Sequence, residues 1–123
     1  MVEQDQAAMV EAIFEKLVRS VFAPGQDVHD IAEFVGLMVG RLSESNKVNR
    51  MDSEALIRVA LGEQEVYLEG IGAVDSLQIK GYVAFMAAER LGMSETDIDR
   101  LVHETETDLY ERGHTLLRLK GSQ

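Results

Sequence analysis

An all-α fold, built as a single compact domain of about five helices over residues 1–123, is predicted by three observations. Apolar residues recur at the three–four spacing of a helix along most of the chain. Cap and breaker residues (Pro24 with Gly25, Asp52 or Ser53, Gly62, Gly92 with Ser94) cut that pattern into segments of helical length. The one stretch that alternates like a strand, around Val66 and Leu68, has no second strand to pair with.

The first helix is expected over residues 4–22. Val10, Ile13, Phe14, Leu17 and Val21 share its inner face, and Glu11, Glu15, Lys16 and Arg19 line the other. Pro24 and Gly25 end it, and Asp27 is the expected cap of the second helix. There Val28, Ile31, Val35, Met38 and Leu42 form one seam. Residues 34–39 read Phe-Val-Gly-Leu-Met-Val, apolar in nearly every direction around the axis. A helix of that kind needs burial on more than one side, so Phe34, Leu37 and Met38, with Gly36 and Gly40 spaced for close approach, are the expected dimer or partner interface.

Residues 43–50 are polar and read as a loop. Asp52 or Ser53 is the expected cap of a short third helix ending at Gly62, and residues 63–74 read as a turn or short helix before a Gly-rich loop. Asp75, with Gln78 three residues on, forms a capping-box pattern opening the fourth helix, whose inner face is Ile79, Val83, Met86 and Ala87. Gly92 supplies its left-handed end. Ser94 with Asp97 starts the fifth helix, carrying Ile98, Leu101, Val102, Thr105 and Leu109 on one face. Gly113 is expected to end it, and Leu116, Leu117 and Leu119 suggest a packed tail.

Composition excludes several classes of function. The chain has no cysteine, which removes disulfides, thiol nucleophiles and Cys-ligated metal centres. A net charge of −10 disfavours nucleic acid and anionic membranes as partners. No apolar run reaches bilayer length, and the opening Met-Val-Glu-Gln-Asp-Gln lacks the basic and apolar regions of a signal peptide. No membrane association and a cytoplasmic location are therefore expected.

Residues 83–105 have the pattern of a helix–turn–helix corner: a small residue, Gly92 at the turn, a Ser cap, then Ile98 and Leu101 on the second helix. The charge is wrong for an operator. Between Glu95 and Glu111 stand seven acids and one base, Arg100, so the second helix repels phosphate. The same acids, Glu95, Asp99, Glu104, Glu106 and Asp108, make the expected contact for a basic protein partner.

Catalytic constellations are weak. Glu111 and His114 have the Glu-x-x-His spacing of a carboxylate-bridged metal site, but no second such pair exists. His29 and His103 have nearby carboxylates and no sign of a pocket or activated nucleophile. No phosphate-binding glycine loop and no Gly-x-Ser-x-Gly occurs. No enzyme activity, metal or cofactor is expected.

The segment Gly72-Ala73-Val74-Asp75-Ser76-Leu77 resembles that of acyl and peptidyl carrier proteins, in which Asp-Ser-Leu at a helix start carries phosphopantetheine. The resemblance covers about the last 50 residues and implies attachment at Ser76. The chain departs from the family pattern at Lys80, where a core residue is expected, and at Arg90, where carriers have an aromatic. Some 75 residues upstream also exceed a plain carrier.

The leading expectation is a non-enzymatic accessory or regulatory protein that binds another protein, for example an antagonist, an immunity-type inhibitor or an assembly factor, and that forms a homodimer. A DNA-binding regulator using residues 83–105 is the alternative, and a carrier modified at Ser76 the third reading.

Overall fold

The structure is a computed structural model that describes residues 3–22, 28–63 and 68–111. Within them lie five α-helices and no strand: α1 (Glu3–Val21), α2 (Val28–Arg41), α3 (Arg50–Ala60), α4 (Ala73–Arg90) and α5 (Glu95–Glu111). Short 3-10 turns at Glu44–Asn46 and Leu68–Gly70 precede α3 and α4. The all-α expectation is met. The segment around Val66 lies outside the described residues, as do Asp27, the Pro24 breaker, Gly113, His114 and the leucines of the tail.

One core joins α1 to α4. Phe14, Leu17, Val18 and Phe22 of α1 and its end meet Ile31, Phe34, Val35 and Met38 of α2, Leu56 and Ile57 of α3, and Ile79, Val83, Met86 and Ala87 of α4. Phe22 and Phe34 pack edge to face, centroids 5.3 Å apart. Val18, absent from the expected face, is fully buried, whereas Ile13 and Val21 sit at the margin. The stripe of α1 is thus rotated slightly toward Val18 because α1 packs on both α4 and α5.

Two expected caps are corrected. Asn49 caps α3, its Oδ1 accepting the Asp52 N–H at 2.9 Å. Ser53 is buried instead, its hydroxyl donating to the Asn49 carbonyl at 2.9 Å. Similarly α4 starts at Ala73 with Gly72 as its cap. Asp75 falls in the first turn, where the helix dipole favours a carboxylate, and Gln78 donates to the Tyr82 hydroxyl at 3.2 Å instead of closing a box. Glycine is a competent cap because an extended residue without Cβ leaves the first N–H groups open to water.

The box at α5 forms as expected. The Asp97 carboxylate accepts the Ser94 N–H at 3.0 Å, and the Asp97 N–H donates to Ser94 Oγ at 3.2 Å. The backbone bond from Ser94, then the interaction with its side chain, holds the Asp97 carboxyl below its usual value of 3.8. A depressed folded pKa means stability that is present above the unfolded value and lost as pH falls through the folded one. Asp97→Ala is therefore expected to lower the melting temperature near neutral pH, with the gap to wild type narrowing as the pH falls below 3.8. Calorimetry across that range checks it.

Gly92 follows the last residues of α4 with φ +69°, the left-handed geometry that lets the chain turn into α5. The corner therefore exists, but α5 leans on α1 far more than on α4. Thr105 and Leu109 are its buried contacts. Lys16 of α1 reaches across to donate to Thr105 Oγ1 at 3.3 Å and to the Asp108 carboxylate at 2.7 Å.

Candidate functional site

The acids of α5 do not form one face. At 3.6 residues per turn, Glu95, Asp99 and Glu106 fall along one side of the buried Thr105–Leu109 stripe, while Glu104 and Asp108 fall along the other. The outward centre between these rows carries Thr96, Arg100, His103 and Thr107, all exposed. Asp108 is held by Lys16, and Glu106 is half-buried. Glu95, Asp99 and Glu104 are exposed. Arg100 makes only a loose pair with Asp97 at 3.8 Å.

The five residues expected at an α2 interface separate just as clearly. Phe34 and Met38 are buried in the core, which takes Phe34 out of any interface and leaves Met38 only a groove wall. Leu37 is 50% exposed and Gly40 is exposed with open space around it. Gly36 is covered from within: a Cβ there would come within 3.0 Å of the Arg50 guanidinium. The apolar run of α2 is thus consumed largely by its position between α3 and α4.

The outward side of α4 is the feature that the sequence reading passed over. Val74 is 79% exposed and Phe85 67% exposed, and Leu77 is also exposed. Helical geometry lines up Val74, Leu77, Gln78, Gly81, Phe85 and Ala88 on one face, opposite the buried Ile79, Val83, Met86 and Ala87. No charged residue stands on that face. Asp75, Lys80 and Glu89 lie to its sides, and Arg90 turns inward with its guanidinium 5.0 Å from the Phe34 ring centroid. Beside the face runs a groove of about 640 Å³, lined from α2 by Met38, Arg41 and the adjoining Leu42 and from α4 by Leu77, Gly81 and Phe85, among others.

A bidentate ion pair closes one end of this region. Arg41 donates to both oxygens of Glu89 at 2.8 and 3.1 Å. Each group is shifted toward its charged form by that hydrogen bonding, the Glu89 carboxyl downward and the Arg41 guanidinium upward. The pair is solvent-exposed, so it orients the rim more than it stabilises the fold.

Ser76 is half-exposed in the first turn of α4, next to Leu77 on the groove. The two positions at which the chain departs from the carrier pattern are both used for packing. Lys80 is mostly covered, with Nζ 3.4 Å from Glu11 and 5.8 Å from the Phe14 ring centroid, so its stem fills a core margin while its charge reaches the surface. Arg90 supplies the flat surface over Phe34 that an aromatic would otherwise provide. Among the described residues no group of three His, Cys, Asp or Glu converges on a point that could hold a metal. Among them, too, no helix is long and apolar enough to cross a membrane. No family model, curated protein or solved structure matches this chain.

Proposed function

We propose that the chain is a non-enzymatic, cytoplasmic accessory or regulatory protein that acts by binding protein through the outward face of α4 and the groove beside it. The observation that carries this reading is the absence of charge from that face in a chain of which 28% is charged. Isolated exposed apolar residues are ordinary on any surface, but a continuous apolar face depleted of charge has the composition of an interface centre. The acidic rows of α5 are a second contact, suited to steering a basic partner. They also weigh against a nucleic-acid reader, because phosphates straddling α5 would meet carboxylates on both sides.

The test is a photo-reactive phenylalanine analogue at position 85, irradiated in the native host. A discrete protein adduct is expected, lost when Leu77→Glu is added and absent when the analogue is moved to Glu44, exposed and outside both contacts. No adduct at position 85 would remove α4 as the contact. A mass increase on Ser76 after co-expression with a phosphopantetheinyl transferase would replace this reading with that of a carrier.

A further inference from the structure

Building on the protein-binding reading of α4, we propose that its outward face takes a second copy of this chain, with the two α4 helices antiparallel about a two-fold axis level with Val83. The first support is Gly81. A glycine inside a helix weakens it relative to alanine, so its presence calls for a steric reason. Within one copy there is none: a Cβ at Gly81 would meet nothing within 4 Å, and the residue has no positive φ. It leaves an open hole on the exposed face.

One turn further along, about 6 Å away, Phe85 projects from the same face, 67% exposed. Hole and knob on one helix, a turn apart, are complementary to themselves only when the second helix runs the opposite way. Each Phe85 then lies over the Gly81 of the other copy, as a two-fold interface requires. The same register sets Gln78 level with Ala88 of the second copy and Leu77 level with its Glu89. Large meets small at the Phe85–Gly81 and Gln78–Ala88 levels, the condition for close interdigitation. A parallel pairing in register would set ring against ring and hole against hole.

Charge selects the same face. Two copies each carrying −10 repel one another. A pairing through α5 would set the exposed Glu95, Asp99 and Glu104 of one copy against those of the other, carboxylate against carboxylate. The outward face of α4 lets two copies meet without that cost. It also offers an unrelated charged partner no complementary charge.

The full-length chain is expected to sediment as a dimer at tens of micromolar, a range in which obligate dimers persist. Phe85→Glu and Gly81→Leu should each weaken dimerisation by about a hundredfold or more. Gly81→Leu separates this from misfolding, because an open helical site should accept leucine with an unchanged circular dichroism spectrum. Because the chain has no cysteine, a mixture of Gln78→Cys and Ala88→Cys proteins reports direction: the mixed disulfide should dominate over either homodisulfide. A monomeric wild type, a dimer that survives Gly81→Leu, or homodisulfides that prevail would each overturn the proposal. If the wild type is monomeric yet a different protein is cross-linked from position 85, the dimer is wrong and the protein-binding reading stands. If neither a second copy nor another protein is found there, both fall.

Discussion

Phe34→Ala is expected to destabilise the domain by about 3–5 kcal/mol, a large share of the stability of a chain this size. Phe34 has no exposed surface. Its ring is the point where three elements meet: Phe22 at the end of α1 packs with it edge to face, and Arg90 at the end of α4 lies over the ring. Truncation removes the transfer free energy of the ring and leaves a cavity that helices fixed elsewhere cannot collapse to fill. It also strips Arg90 of its packing surface. Urea denaturation followed by circular dichroism should show a lower midpoint with an unchanged slope. Leu37→Asp, on the same helix but half-exposed, is the matched control and should change stability far less. Equal losses would mean that α2 is buried on both sides.

Val83→Asp should be as damaging, for a different reason. Val83 is fully buried on the inner face of α4, against the core shared with α1. A carboxylate there would be an unpaired buried charge, and leaving such a charge uncompensated costs about 3–5 kcal/mol. The protein should be largely unfolded at neutral pH and regain helix as acid neutralises the carboxyl. Phe85→Glu lies only two residues away but on the opposite side of the helix, where the added charge stays in water. It should preserve the circular dichroism spectrum. The contrast between the two variants tests the orientation of α4, and with it every statement about the outward face. If both unfold the chain, α4 is buried all round within a single copy.

These contrasts also mark what was legible from residues alone. Helical periodicity, Ser94 with Asp97, and Gly92 at a corner identify α1, α2, α4 and α5 without coordinates, because each depends on neighbours within a turn or two. Such local signals also name the inner face of α4 correctly: Ile79, Val83, Met86 and Ala87 are all buried. The caps of α3 and α4 lie three or four residues before the ones that residue type suggests. Asp52, Ser53 and Asp75 are all good caps by type, and only the path of the backbone decides whether Asn49 and Gly72 precede them.

The candidate site was hidden for a more general reason. Apolar residues all round a helix signal that it has more than one apolar surface, but not whether the rest of the chain covers the second. That argument singled out the run at residues 34–39. It applies equally to α4, where Val74, Leu77, Tyr82 and Phe85 join the inner face in surrounding the axis. Tertiary packing resolved the two cases in opposite directions. It spent Phe34 and Met38 on the core between α3 and α4, and left Phe85 and Val74 facing water. In the same way, the acids of α5 were visible as a cluster in sequence. Their division into two rows became apparent only once the side of the helix that rests on α1 was known. Local periodicity and composition suffice to specify the helices, some of their caps and the acidic character of the chain. Which apolar surface remained uncovered was decided only by the tertiary structure, because burial depends on contacts between segments far apart in the chain.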